Sequence, residues 1–171
     1  AMLSLSPERF LRIHQGTVTS QPIKGTAPRH SDPEQDTALA RALLNSEKDR
    51  AENVMITDLL RNDLGQFCQT GSVNVTELCG LHSYNNVHHL VSTVEGKLAP
   101  GVSAGQMLLA TSPGGSITGA PKKRAVEIIA ELEPAPRGAY CGSLFILGGH
   151  NWLQSSIAIR TLEVSNNTIH C

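Results

Sequence analysis

The residue with the most chemical reach in this chain is Lys24, in the run Gln21-Pro22-Ile23-Lys24-Gly25-Thr26. An amine in such a position is ordinarily a solvated surface group. Set beside an acid and shielded from water it becomes a nucleophile that can bond to an electrophilic carbon. Glu8 is the acid within reach. Met2 to Leu5 and Phe10 to Ile13 read as extended, Gln15-Gly16 offers a turn, and Thr17 to Ile23 reads as the returning strand. A three-residue loop would put Glu8 opposite Lys24, and a two-residue loop would offset them by one. The pair is then either a surface ion pair worth about 0.2–1 kcal/mol or an acid and a nucleophile facing one substrate.

Further along, Asp49, Glu52, Ile56, Leu59 and Asp63 fall on one helical stripe, so two carboxylates share a face with apolar residues. A half-buried carboxylate calls for Arg, Lys or a hard divalent cation. Asp49 also reads as the third residue of a capping box opened by Ser46. Asp63, beside Arg61 and Asn62, reads as part of a helix-end ion-pair set. His89 alternates with Val91 and Thr93 on one side of a strand, as a hydrogen-bonded core histidine or a catalyst. Pro113-Gly114-Gly115-Ser116-Ile117-Thr118-Gly119-Ala120-Pro121 is a glycine-rich loop entering a helix, where backbone N–H groups suit an anion. It matches neither a Walker A loop nor G-x-G-x-x-G. In Ile157-Ala158-Ile159-Arg160-Thr161-Leu162, Arg160 interrupts an apolar strand and needs an anionic partner, from the protein or from a ligand.

The elements that would hold these groups can be read from pattern. Ser31-Asp32-Pro33 starts a helix with Ala38, Leu39, Ala42 and Leu43 on one face; a second runs from Ser46 to about Asp63. Strands are expected at Ser72 to Val75 and through His88 to Val94. Ser103 with Gln106 opens a short helix, and Ala125, Ile128, Ile129 and Leu132 mark the buried stripe of the helix after Pro121. Strands follow at Tyr140 to Leu147, Ser155 to Val164 and Thr168 to Cys171, with turns at Gly148-Gly149-His150-Asn151 and Ser165-Asn166-Asn167.

At 171 residues, 40% hydrophobic and 17% charged, the chain has the composition of one globular domain. Its formal charge of -1 gives no field for nucleic acid or an anionic membrane. It shows no bilayer-spanning run and no signal segment, so the cytoplasm is the expected location. Cys68, Cys79, Cys141 and Cys171 match no zinc or C-x-x-C spacing and read as reduced thiols in or near the core. Both ends break off within strand-like runs, so a partial domain is expected over 1–171.

Taken together, SLSPERF (4–10), PIKGT (22–26), KDRAEN with DLLRND (48–63), HHLVST (88–93), PGGSITGAPK (113–122) and AIRTL (158–162) make the chain resemble the C-terminal catalytic region of chorismate-utilising enzymes. The resemblance implies an α+β fold of two large, mostly antiparallel sheets packed together with helices outside, and a Mg²⁺-dependent chorismate site. It places the chain in the branch that aminates chorismate at C4 with ammonia from a glutaminase partner, because the anthranilate-forming branch carries Ala where Lys24 stands. Lys24 is then the nucleophile and Glu8 the general acid. Glu52, with Asp49, matches the metal-binding positions. His89 matches a histidine near the ring carboxylate and leaving hydroxyl, Tyr140 and Arg160 match contacts to the enolpyruvyl carboxylate, and Thr118, Gly119 and Ala120 match the anion loop. Family members continue past the position of Cys171 into a carboxylate-binding strand and a helix with further acidic Mg²⁺ ligands. Anthranilate or isochorismate/salicylate synthesis, and a non-catalytic scaffold, stand as alternatives.

Overall fold

The structure, a computed structural model, describes residues 1–165 and 168–170. The Asn166-Asn167 turn and Cys171 lie outside the described residues. The chain is α+β: among the described residues four α-helices accompany a seven-stranded and a three-stranded sheet, and the strand pairings are antiparallel. The two expected sheets are therefore present but unequal. The smaller joins Met2–Ser4 (β1), Thr161–Ser165 (β9) and Thr168–His170 (β10).

The central strands carry the site. Arg9–His14 (β2) turns at Gln15-Gly16, both at positive φ, into Thr17–Gln21 (β3), with His14 facing Thr17 across a two-residue loop. Pro22, which has no N–H to give a ladder, separates β3 from Ile23–Pro28 (β4). The two lie end to end along Val87–Lys97 (β6): Ser20 faces Val94, Ile23 faces Val91, and Ser92 donates to the Pro22 carbonyl. Between Ile23 and Thr26 the register slips, so that Lys24 and Gly25 together oppose Leu90, a bulge.

Asn74–Ser83 (β5) borders β6 on its other side and is longer than the sequence pattern predicts. Register shifts after Val75 and Glu77, with Cys79 at positive φ, break the alternation that marks a strand. Beyond β2 come Trp152–Ile157 (β8) and the edge strand Ser143–Gly148 (β7).

Helix Glu47–Gly65 (α2), capped by Ser46, buries Ile56, Leu60 and Leu64 against Phe10, Leu11, Val18, Val94 and Leu153 of the sheet. Ala104–Thr111 (α3), held by the Ser103/Gln106 capping box, adds Met107 and Leu108 to the same core. Helix Pro33–Leu44 (α1), capped by Asp32, packs Leu43 and Leu39 with Ala27 and Leu90. Its Asp36 receives Arg29 Nε and the His30 N–H and lies 3.0 Å from His88 Nε2; Arg29 leads in holding this carboxyl well below the usual carboxylate range.

The structure departs from the sequence pattern at two elements. Lys122–Leu132 (α4) is amphipathic, yet none of its residues is buried and Leu132 is 76% exposed. Periodicity shows which face can be covered; among the described residues Ala125 and Ile129 of this one are half-covered and Ile128 and Leu132 are exposed. Likewise Ser155 to Val164 is not one strand. β8 ends at Ile157, Arg160 sits at φ 49°, and the chain leaves the large sheet for β9 in the small one. Arg160 is thus an exposed residue at a bend between sheets and not a guanidinium inside a buried strand.

Candidate active site

Glu8 is 7% exposed, just before β2, and its backbone carbonyl accepts from Ile157 of β8. Burial pushes its carboxyl up, against the opposing influence of a hydrogen bond from Ser116 and the nearby Lys24 charge. Lys24 is half-buried, and its Nζ donates to the Ser116 carbonyl at 3.0 Å. The two groups do not face each other across the β2–β3 hairpin as the sequence predicts. Arg9 already faces Gln21 after a register shift, and Lys24 belongs to the ladder with β6. Acid and amine are brought together by a third element, the glycine-rich loop.

That loop is pressed onto the core. A Cβ on Gly114 would lie 2.6 Å from Ile157 Cδ1, and one on Gly115 would lie 2.3 Å from Leu59 Cδ2. Its glycines therefore permit close approach as well as exposing backbone. The N–H groups of Thr118 and Gly119 both donate to the Gly115 carbonyl, and the Thr118 hydroxyl donates to the Gly114 carbonyl. In this conformation the loop spends those donors on its own short 3₁₀ turn, Gly115–Ile117. Ala120 is exposed at the end of the loop. At the helix that follows, Lys122 Nζ pairs with Asp63 and donates to the Thr111 carbonyl at 2.8 Å. Asp63 is therefore a buried anchor for the loop, while Arg61 pairs on the surface with Asp58.

The acidic pair of α2 stands beside the lysine strand. Gly25 has φ +89°, and a Cβ there would lie 2.9 Å from Asp49 Cβ. Glycine thus lets the first turn of α2 seat directly on the bulge that carries Lys24. Asp49 completes the Ser46 cap, accepting from its hydroxyl at 2.5 Å. Glu52, one turn on, is half-exposed and 3.9 Å from Lys48. Among the described residues no three His, Cys, Asp or Glu side chains gather as a metal site; Asp49 and Glu52 are two carboxylates one turn apart, the number that Mg²⁺ commonly takes from a protein.

His89 is 3% exposed, its Nδ1 lies 2.8 Å from Thr26 Oγ1, and its ring meets Tyr84 edge-on at 5.8 Å. Burial lowers its pKa, outweighing the Gly25 carbonyl, which raises it; Arg160 lowers it further. His89 therefore serves as a neutral hydrogen-bonding ring at pH 7. His89 and Arg160 share a cavity of about 280 Å³ with Pro7, Ile23, Tyr84, Asn86 and Val87. Pro7 also lines a second cavity, of about 510 Å³, with Glu8, Arg9, Phe145 and Gln154. Tyr140 is placed apart. It stands 60% exposed in a turn before β7, with the Arg137 guanidinium 5.8 Å from its ring centre.

Ser116, Tyr84 and the Lys122–Asp63 pair are the contributors that sequence reasoning passed over. Ser116 sits in a motif whose glycines carry the visible signal, Tyr84 sits in a turn without a motif, and nothing in local pattern links residues 63 and 122.

A buried acid, a lysine on a strand bulge, a carboxylate pair and a histidine–arginine cavity on this α+β frame define a chorismate-binding enzyme: the family model for chorismate binding enzymes matches residues 1–171, and the chain belongs to that family. Within it, the chain is similar to aminodeoxychorismate synthase component 1 of Klebsiella aerogenes, at 53% identity over 171 residues, all of this chain and 38% of that protein. The corresponding protein of Escherichia coli (strain K12) is 52% identical over the same span, again 38% of its length. Among solved structures, anthranilate synthase component I from Streptococcus pneumoniae TIGR4 superposes with a TM-score of 0.87 at 39% identity, covering 98% of this chain and 37% of that one. The chain thus spans less than two-fifths of the length of these relatives.

Proposed function

We propose that the chain is the nucleophile-bearing part of a cytoplasmic subunit that aminates chorismate at C4, giving 4-amino-4-deoxychorismate, with ammonia supplied by a glutaminase partner. The observation that carries this reading is Lys24 held on the Ser116 carbonyl beside the buried Glu8. The similarity to aminodeoxychorismate synthases over the whole chain supports it. Anthranilate synthase shares the frame, and Lys24 in place of Ala favours the aminating branch.

In this reaction the neutral Lys24 amine attacks C2 of the ring while the C4 hydroxyl departs. Glu8, whose burial favours its protonated form, gives its proton to the leaving oxygen, which leaves as water. Ammonia then adds at C4, the bond between C2 and Lys24 breaks, and Glu8 regains a proton from the nitrogen that has added. His89, neutral, donates or accepts a hydrogen bond without adding charge, and Arg160 binds a substrate carboxylate. Tyr140 and the Thr118-Gly119-Ala120 backbone keep substrate contact as a role carried over from the family resemblance; here the Thr118 and Gly119 N–H groups are taken by the Gly115 carbonyl. Asp49 and Glu52 would hold Mg²⁺, which when bound neutralises a ring carboxylate. The test is incubation with chorismate, Mg²⁺ and ammonium, following 4-amino-4-deoxychorismate and the mass of the Lys24 peptide. Lys24→Ala is expected to lose at least about a thousandfold in turnover. Undiminished turnover in that variant would overturn the nucleophile.

A further inference from the structure

Strand β6 is flanked by an irregularity on each side, and one buried polar cluster meets both. On the β4 side Lys24 and Gly25 share Leu90 as partner; on the β5 side the register shifts between Glu77 and Gly80, with Cys79 at positive φ. Where a ladder skips a residue, backbone groups lose their regular partners and side chains must stand in for them. Asn53 of α2, fully buried, is the centre of that cluster. Its Nδ2 donates to the Leu90 carbonyl at 3.2 Å. Its Oδ1 accepts from the Ser92 hydroxyl, whose oxygen accepts the Cys79 N–H at 2.9 Å. One turn further along α2, the Thr57 hydroxyl donates to the Asn53 carbonyl at 2.7 Å. Ser92 sends its N–H to the Pro22 carbonyl on the β4 side, and Leu90, two residues back, turns its own carbonyl the same way. The Asn53 amide therefore enters the ladder where the bulge lies. Asp49, one turn earlier on the same face of α2, is the residue that rests against Gly25.

We propose that Asn53 is a positioning residue for Lys24: it holds the Leu90 carbonyl opposite the bulge and, steadied by Ser92, keeps the bulge as the frame from which the amine extends. The role calls for an amide. Leu90 requires a donor and Ser92 an acceptor, and an amide of this length carries both without charge. A carboxylate would set a buried negative charge against the Leu90 carbonyl. An apolar side chain would leave both partners unsatisfied, at about 1–3 kcal/mol for each. This deepens the proposed amination, on which its catalytic meaning rests, but the brace itself can be read without turnover.

The experiment is acetylation of the complete, folded subunit with acetic anhydride, following the rates at Lys24, Lys48 and Lys122 by peptide mass. Lys48 is exposed and reports the reagent; Lys122, enclosed beside Asp63, reports general loosening. In Asn53→Ala the rate at Lys24 relative to Lys48 is expected to rise about two- to tenfold, one hydrogen bond expressed as a ratio, with Lys122 unchanged. Ser92→Ala, which lets the amide turn, is expected to raise the Lys24 rate by less. Ser92→Thr, which restores the hydroxyl, is expected to return it to the wild-type value. The Ser92 pair carries the test should Asn53→Ala fail to fold. A Lys24 rate that does not rise, or one that rises together with Lys122, would overturn the positioning role. A Ser92→Thr variant as reactive as Ser92→Ala would overturn the part given to Ser92. The expected labelling in a subunit that forms no 4-amino-4-deoxychorismate would count against the amination reading and leave the brace standing; amination with Lys24 labelling unmoved would do the reverse.

Discussion

The strand side of the site and its loop-and-helix side are built to different standards of enclosure. On the strand side, Glu8, His89 and Ser92 are buried, and α2 rests on Gly25 with no space for one further carbon. On the other side, no residue of α4 is fully buried, Phe145, Ile146 and Leu147 of β7 are about half-exposed or more, and Tyr140 stands in the open. Under the proposed amination, the groups whose protonation state must be set, Glu8 and His89, lie where burial can set it, and those that would only touch a charged substrate lie on turns. The Lys122–Asp63 pair is the seam between the two sides, because it ties the half-buried first residue of α4 to a buried carboxylate of α2.

The contrast can be broken first at that seam. Asp63→Ala leaves Lys122 in a site where it is only 17% exposed, and is expected to lower unfolding stability by about 3–5 kcal/mol in urea titration. The paired change Asp63→Leu with Lys122→Met should recover most of that loss, since two fitted apolar groups need no counter-charge. Gly25→Ala comes next. It adds a carbon 2.9 Å from Asp49 at φ +89°, and about 2–4 kcal/mol of destabilisation is expected by the same measurement.

Glu8→Gln tests the polarity of the enclosed side. The pKa of Glu8 is raised by burial above its ordinary 4.5. Its contribution is therefore intact below pH 4.5 and lost as pH rises through the higher folded value. The neutral amide should raise Tm relative to wild type at pH 7–8, and the gain should shrink below pH 4.5, while amination falls. The smallest effect is expected on the open side. Leu132→Ser, at 76% exposure, should change stability by no more than about 0.5 kcal/mol. A larger loss would show that this face is covered in solution.

The same contrast explains what could be read in the sequence. The caps at Asp32, Ser46 and Ser103 and the Gln15-Gly16 turn follow from local chemistry and stand where their residues place them; of the stripe expected on α2 only Ile56 and Asp63 are buried, and Asn53, Thr57, Leu60 and Leu64 complete the face that meets the sheet. Lys24, Glu8, His89, Arg160 and the acidic pair were legible as residues. Their arrangement was less so, because three of its determinants are irregular: the register slip in β2, the bulge at Lys24 and the bend at Arg160. A period of two carries no record of where one residue is skipped. The buried stripe assigned to α4 erred for another reason. An amphipathic pattern states what a helix can bury, and whether a neighbour exists is a property of the assembly.

The bulge at Lys24 and Gly25 divides a single strand into two phases. From Thr17 to Ile23 the strand keeps step with β6, and from Thr26 to Pro28 it runs one residue late. Everything before the bulge and everything after it is therefore correctly faced only because two residues share one partner. Deleting either Lys24 or Gly25 would leave a perfectly regular strand, with Thr26 drawn out of line with His89 or the ladder behind Ile23 displaced. The irregularity is a spacer whose length, and not only its composition, sets where the amine points.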